Sequence, residues 1–134
     1  MPPLPPDLPP VTLEVFYSPS CAPCRLELPV VAAFADQDGA HIRIVILDEE
    51  ARAREELRAV SSRLEAVAES KASQSPNEIL GAAGNANRIL PYARSVAATG
   101  EVCAKWAGRL TLERARSLMA ACARFIASPP PSRS

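Results

Sequence analysis

The segment YSPSCAPCRLELP, from Tyr17 to Pro29, places two cysteines with two residues between them directly after an apolar run. The preceding residues, from Val11, are rich in β-branched and aromatic side chains, which predicts a strand. The following residues carry apolar side chains near helical spacing as far as Phe34, which predicts a helix. Two thiols at such a junction hold a metal, form a structural bridge or exchange electrons with another disulfide.

The length and charge of the chain exclude several classes of protein. Its 134 residues are enough for one domain with its own core, and its 15 basic and 15 acidic residues give a net charge of zero. We therefore expect neither nucleic acid nor an anionic membrane surface as a partner. No apolar run approaches the length of a membrane-spanning helix. The N-terminal sequence lacks the features of a secretory signal, which predicts a cytoplasmic protein if the chain is complete, and an envelope protein if a signal or anchor has been removed.

The cysteine and histidine content argues against a metal centre. Zinc sites usually need two close pairs of ligands, whereas Cys103 and Cys122 are far apart and His41 is the only histidine. We therefore expect no metal and no other cofactor, and we expect His41 to be solvated. Cys103 and Cys122 are interpreted as small buried residues, with a structural bridge between them as the alternative.

The pattern of apolar residues predicts one domain, residues 11–128. A Pro-rich flexible arm, residues 1–10, precedes it, and a flexible tail, residues 129–134, follows it. The run from Ile42 to Leu47 is almost wholly apolar, as in a strand covered on both faces. Together with the first strand and helix it predicts a right-handed βαβ unit with parallel strands.

The next segment, residues 49–75, is interpreted as a helical insert. One long helix is predicted from Glu49 to Ala72, with a narrow apolar stripe formed by Leu57, Val60, Leu64 and Val67. We expect the stripe to pack on the protein's own surface, near a short helix that starts at Pro76. This arrangement predicts a monomer, and a dimer seam or partner surface along the helix is the alternative.

The rest of the chain predicts a hairpin and a closing helix. Strands are expected at Tyr92 to Ala98 and at Val102 to Ala107, and Thr111 is placed to cap the last helix.

This order of elements, with a CxxC pair between the first strand and the first helix, resembles the thioredoxin family from about Val11 to Ala127. Pro29 stands where family members carry the proline that kinks this helix. The segment Ile89-Leu90-Pro91-Tyr92 stands where the family has its cis-proline, and Gly108 matches a glycine after the closing hairpin. The resemblance implies an α/β fold of the form βαβ, helical insert, ββα, with a central mixed sheet flanked by helices.

The resemblance also implies a site. A cysteine at a helix N-terminus faces unpaired N–H groups and the positive end of the helix dipole, which favours the thiolate. Cys21 would therefore attack a substrate disulfide, and Cys24 would resolve the mixed disulfide. The backbone beside the cis-proline would pair with an extended substrate chain, and the expected substrate-binding residues are Ala22, Pro23, Leu90 and Pro91.

Taken together, these features predict a thiol–disulfide oxidoreductase acting on protein or peptide disulfides, with an unknown protein as electron donor or acceptor. The dipeptide between the two cysteines, Ala22-Pro23, resembles that of the reducing branches of the family, and this likeness favours a reductant. The position of the insert resembles the disulfide-forming DsbA branch, so an oxidase or isomerase of the cell envelope is one alternative. A binding module with little turnover is the other.

Two positions depart from thioredoxin proper. Val15 stands where that protein has a buried acid, and Ile44 stands where it has a lysine partner. Glu14 is adjacent in sequence, but neighbouring strand residues point to opposite faces, so that only a bulge would bring it round. Ser20 replaces the family's tryptophan before the first cysteine.

Overall fold

The computed structural model describes residues 11–71 and 73–127, with side chains up to residue 123. The predicted arm and tail lie outside the described residues. The strands within them are β1 Val11–Tyr17, β2 His41–Ile46, β3 Ala68–Ser70, β4 Tyr92–Ala97 and β5 Val102–Ala107. The helices are α1 Ala22–Leu26, α2 Leu28–Gln37, α3 Glu50–Val60, α4 Ser62–Ala66, α5 Pro76–Ala82 and α6 Leu112–Ala127. None of these helices is long and apolar enough to cross a membrane.

The strands form one mixed sheet in the order β3-β2-β1-β4-β5. The central strand β1 is parallel to β2 and antiparallel to β4, while β3 joins the outer edge of β2 and β5 pairs with β4. This is the mixed sheet flanked by helices that the sequence predicts. The βαβ unit gives the parallel pair, and the hairpin adds the antiparallel strands.

The core lies on both faces of the sheet. The larger cluster packs one face of β1 and β2 against side chains of α2, α3, α4 and α6, and it includes Cys24. The smaller cluster covers the other face with Ile79 and Leu80 of α5. A central strand buried on both faces explains why β1 is apolar at nearly every position.

The predicted starts of the later helices are confirmed. Ser75 and Glu78 form a capping box at the start of α5, in which each side chain bonds the backbone of the other residue. The hydroxyl of Thr111 accepts a hydrogen bond from the backbone N–H of Arg114 at 3.1 Å.

The predicted single helix from Glu49 to Ala72 is wrong. Ser61 is extended, with φ −163° and ψ 130°, and its hydroxyl accepts the N–H of Arg63, so that one helix ends there and another begins. Ala68–Ser70 then form β3, parallel to Ile44–Ile46. A capping serine and an available sheet edge outweigh the helix propensity of this segment.

The apolar stripe is divided by this break. Leu57 and Leu64 are fully buried in the larger cluster, whereas Val60 is 41% exposed. The stripe thus packs largely on the protein's own core, as expected. Its predicted location beside the helix that starts at Pro76 is wrong, because that helix covers the opposite face of the sheet.

A disulfide joins Cys103 on β5 to Cys122 on α6. The β4–β5 ladder shifts register after the pair Ser95 and Ala104, which makes Cys103 the extra residue of a β-bulge. Strict alternation would direct Cys103 to the face opposite Ala104, whereas the bulge lets its sulfur reach α6. The interpretation as two separate buried residues is therefore wrong, and the alternative of a bridge is correct.

We predict that Leu57→Ala and Leu64→Ala each lower the free energy of unfolding by about 2–5 kcal/mol, the range for truncating a buried leucine. Val60→Ala is the matched control on the same segment, since it removes a largely exposed side chain. Urea unfolding measures all three variants. An effect of Val60→Ala as large as that of Leu57→Ala would contradict the packing described here.

We predict that the double variant Cys103→Ala/Cys122→Ala unfolds about 3 kcal/mol more easily than the oxidised parent. The bond closes a loop with a sequence separation of 19 and so restricts the unfolded chain. Urea unfolding without reductant measures the difference. An unchanged unfolding midpoint would show that this bridge adds nothing to stability.

Candidate active site

The two cysteines of the CxxC pair lie where β1 gives way to α1, and their sulfurs are bonded. Cys21 is the N-cap residue of α1, and its sulfur accepts the backbone N–H of Cys24 at 3.2 Å. Cys21 is half-buried, whereas Cys24 is only 1% exposed. The geometry therefore gives the first sulfur access to solvent and a backbone donor, while the second sulfur is held in the core.

The helix after the cysteines is broken at Glu27, as the kinking proline predicts. Glu27 ends α1, and Pro29 occupies the second position of α2, where the missing N–H removes no helical hydrogen bond. The break allows the short first helix to take its own direction at the end of the sheet.

The loop before β4 reaches the same end of the sheet as the cysteines. Phe16 pairs with Tyr92, so that the end of β1 lies beside the start of β4. The Leu90–Pro91 peptide bond is cis, as expected. Leu90 and Cys21 both pack against the larger cluster, and the carbonyl of Pro91 accepts the N–H of Gly108 at 2.8 Å.

The residues expected to bind substrate differ in their exposure to solvent. Ala22 and Pro23 are exposed on α1, Leu90 is half-buried, and Pro91 is buried. The side chains of Ala22 and Pro23 are thus accessible beside the half-buried sulfur of Cys21. Leu90 and Pro91, in the loop before β4, would contact a substrate mainly through their backbone.

The two departures from thioredoxin proper form an apolar pair. Val15 and Ile44 are direct partners in the parallel ladder, and both are buried. Glu14 points to the other face, where it contacts Arg43 at 2.7 Å and Arg94 at 2.6 Å. Burial opposes ionisation, but the hydrogen bonds and charges of the two arginines outweigh it and lower the pKa of Glu14. No bulge in β1 brings this carboxylate toward the cysteines.

The sequence analysis missed a buried carboxyl, that of Glu27. This residue is 4% exposed and follows Cys24 by three positions, and its Oε2 accepts the N–H of Leu110 at 2.8 Å. Burial raises the pKa of Glu27 to about 7, although the Leu110 N–H and the charge of Arg109 act to lower it. Such a group can gain or lose a proton near neutral pH. The signal available in the sequence was an acid placed between two leucines, Leu26 and Leu28, shortly after Cys24.

Polar contacts from the start of the helical segment hold the turn before Cys21. The N–H of Cys21 donates to the carbonyl of Ser18 at 3.0 Å, and the hydroxyl of Ser18 donates to Asp48 at 2.7 Å. The hydroxyl of Tyr17 donates to Glu56 on α3. Burial, followed by this bond, raises the pKa of Tyr17, so that its hydroxyl keeps its proton. Asp48 and Glu56 therefore hold the end of β1 and the turn before Cys21, a role that the sequence pattern did not predict.

Glu27→Gln should change how stability depends on pH. The pKa of Glu27 rises from 4.5 to about 7 on folding, so that its stabilising contribution is complete below pH 4.5 and disappears as the pH rises through 7. Glutamine keeps an acceptor for Leu110 without titrating. We therefore expect the variant to gain stability relative to the parent between pH 4.5 and 7.

Urea unfolding at several pH values measures this difference. Glu55→Gln, which removes an exposed negative charge on α3, serves as the matched control. Parallel stability curves for Glu27→Gln and the parent would contradict a raised pKa at Glu27.

Comparison with known proteins finds likeness at the level of structure. No model of a known protein family matches the sequence, and no curated protein matches it. A thioredoxin-related protein from Neisseria meningitidis serogroup B superposes with a TM-score of 0.69 at 17% identity, over 86% of each chain. The exposed lipoprotein thioredoxin Etrx1 of Streptococcus pneumoniae gives 0.66 at 16% identity, over 84% of this chain and 85% of that one. StoA from Bacillus subtilis gives 0.63 at 17% identity, over 84% of each. The chain therefore has the thioredoxin-like fold, with a CxxC pair at the end of its central strand.

Proposed function

We propose that the protein is a thiol–disulfide oxidoreductase that reduces disulfides in proteins or peptides. The observation that carries this proposal is the environment of Cys21. Its sulfur caps a helix, accepts the N–H of Cys24, and lies half-buried in front of the buried second cysteine. A sulfur in this position is stabilised as a thiolate and is accessible enough to attack another disulfide.

The first step is an attack by the thiolate of Cys21 on one sulfur of the substrate disulfide. A bond forms between Cys21 and that sulfur while the substrate S–S bond breaks. The other substrate sulfur leaves as a thiolate and takes a proton from water. The product is a mixed disulfide between the protein and its substrate.

The second step releases the reduced substrate. Cys24 loses its proton and attacks the sulfur of Cys21. This attack breaks the mixed disulfide and expels the substrate sulfur that was bonded to Cys21 as a thiolate. Two electrons have then passed from the dithiol to the substrate, and the protein holds the Cys21–Cys24 bond seen in the structure. A donor protein must return two electrons before the next cycle.

We assign Glu27 as the group that accepts the proton of Cys24. It follows Cys24 by three residues and caps the end of α1, is buried as Cys24 is, and has its pKa raised to about 7. With Val15 and Ile44 both apolar, the acid and lysine of thioredoxin proper cannot serve here. A buried carboxyl that titrates near neutrality can accept the proton as the mixed disulfide resolves.

The second disulfide supports a proposal about the compartment. Structural disulfides persist in oxidising surroundings and are rare in the reducing cytosol, and Cys103 is bonded to Cys122. We therefore favour the cell envelope or the exterior over the cytoplasm. Two structural neighbours are described as a secreted disulfide oxidoreductase of Mycobacterium tuberculosis and as an exposed lipoprotein thioredoxin of Streptococcus pneumoniae, which supports this choice.

An oxidising compartment also favours a second candidate function, that of a disulfide oxidase or isomerase. The chemistry at Cys21 and Cys24 would be the same, with electrons flowing from substrate thiols into the bonded pair. The CAPC dipeptide favours the reductant. Equilibration with glutathione decides between the two, because a potential of about −270 mV is that of a reductant and about −120 mV is that of a strong oxidant.

The roles of the two cysteines give the direct test. The parent protein should accelerate the reduction of insulin by dithiothreitol, and Cys21→Ser should abolish this activity. Cys24→Ser should accumulate a mixed disulfide with the substrate, because the resolving thiol is missing. In the reduced parent, Cys21 should react with iodoacetamide well below pH about 8.5, the pKa of a free thiol.

Two results would contradict the assignment. Faster alkylation of Cys24 than of Cys21 would exchange their roles. A parent protein that leaves insulin reduction unchanged would favour a binding module with little turnover.

A further inference from the structure

A side-chain amide holds the loop that leads into the cis-proline. The Nδ2 of Asn85 donates to the carbonyl of Ile89 at 2.7 Å, and the Oδ1 of Asn85 accepts the N–H of Ile89 at 3.2 Å. Asn85 is only 5% exposed. Its amide therefore pairs with both backbone groups of one residue, as an adjacent strand would do.

Residues 88 and 89 depend on this contact because their own side chains anchor them weakly. The side chain of Ile89 is 47% exposed, and Arg88 before it is exposed with φ at +53°, a conformation that residues other than glycine rarely adopt. The N–H of Arg88 donates to the backbone carbonyl of Asn85 at 3.1 Å. The hydrogen bonds of Asn85 therefore largely determine the backbone conformation of residues 88 and 89.

Asn85 is itself fixed to the sheet. Its N–H donates to the carbonyl of Leu80 at 2.9 Å, at the end of α5. The carbonyl of Ala83 accepts the hydroxyl of Tyr92 at 2.8 Å, and the carbonyl of Gly84 accepts the Nζ of Lys105 at 2.9 Å. A continuous set of contacts therefore runs from β4 and β5 through residues 83–85 to Ile89.

We propose that Asn85 is a positioning residue for substrate binding. By holding Ile89, it fixes the adjacent backbone of Leu90, where we expect an extended peptide substrate to pair beside Cys21. This inference rests on the proposed function. The hydrogen bonds of Cys21 come from Ser18, Cys24 and Arg25, none of which belongs to the loop that Asn85 holds. Asn85 therefore acts on the docking of the substrate and leaves the sulfur of Cys21 unchanged.

Asn85→Asp tests this role. Aspartate keeps an acceptor for the N–H of Ile89 but loses the donor to its carbonyl and sets two oxygens against each other. Asn87→Asp makes the same change of charge at an exposed position of the same loop and is the matched control. Three quantities are measured for each protein: kcat/KM for a peptide disulfide, the rate at which Cys21 reacts with iodoacetamide, and the unfolding midpoint.

We expect Asn85→Asp to lower kcat/KM for the peptide by about tenfold or more, because small misplacements of a binding group have large effects on rate. The alkylation rate of Cys21 should stay within about twofold of the parent's, since its contacts are unchanged. Asn87→Asp should change neither quantity. Equal kcat/KM in Asn85→Asp and the parent, or a parallel loss of alkylation, would overturn the proposal.

Amide hydrogen exchange in the parent tests the contact without any variant. The N–H of Ile89 should be protected, and exchange as fast as in an unstructured peptide would overturn the proposal even if Asn85→Asp fails to fold. A parent protein with no activity on any disulfide would overturn the proposed function, whereas an active parent matched by Asn85→Asp overturns this inference alone.

Discussion

The structure is organised by β1, a strand that must be buried on both faces. It pairs with β2 on one side and with β4 on the other, and helices cover both of its surfaces. Its end at Tyr17 therefore emerges at the rim of the sheet, where the start of β4 also lies. The turn that follows must satisfy its backbone groups locally, and a helix that begins at Cys21 does so with a sulfur as its cap. The position of the Cys21 sulfur therefore follows from the requirements of the central strand.

Buried polar groups around this end of the sheet are paired one by one. The carboxyl of Glu27 receives the N–H of Leu110, the amide of Asn85 pairs with Ile89, and the hydroxyl of Ser18 reaches Asp48. Each bond joins two segments that are far apart in sequence, or it joins a loop to a turn that other contacts hold. Because an unpaired polar group in the interior is destabilising, these bonds limit the arrangements that the loops can adopt. The same bonds that satisfy the interior also define the proposed substrate surface.

The two disulfides lie in contrasting environments, which accounts for the different roles proposed for them. The Cys21–Cys24 bond stands at a helix N-terminus with its first sulfur half-buried. The Cys103–Cys122 bond joins a bulge in β5 to a fully buried position on α6, toward the other end of the sheet. Burial does not separate the two pairs, because Cys21 and Cys103 are both half-buried and Cys24 and Cys122 are both buried. The backbone donor at a helix N-terminus favours exchange at the first pair, whereas the second pair joins a strand to the middle of a helix. One bond is suited to turnover and the other to holding the hairpin against the last helix.

The sequence by itself determined the features that depend on local pattern. An apolar run before a CxxC, a proline within the next helix and a closing hairpin predict the order of strands and helices. The resemblance of this order to the thioredoxin family implies the mixed sheet, the site of the cysteines and the cis peptide bond before Pro91. Capping residues such as Ser75 and Thr111 marked helix starts because they act on a backbone only a few residues away. The apolar identity of Val15 and Ile44 also showed in advance that the thioredoxin acid and lysine are replaced.

Only the tertiary structure decided the features that depend on distant partners. Ala68–Ser70 became a strand because the edge of β2 was available, and Leu57 and Leu64 went to one face of the sheet while α5 covered the other. Cys103 reached Cys122 through a bulge that no local pattern reveals. The raised pKa of Glu27 depends above all on its burial. The physical reason is the same in each case: spacing along the chain sets which face a residue prefers, but the neighbours on that face are supplied by segments far away in sequence.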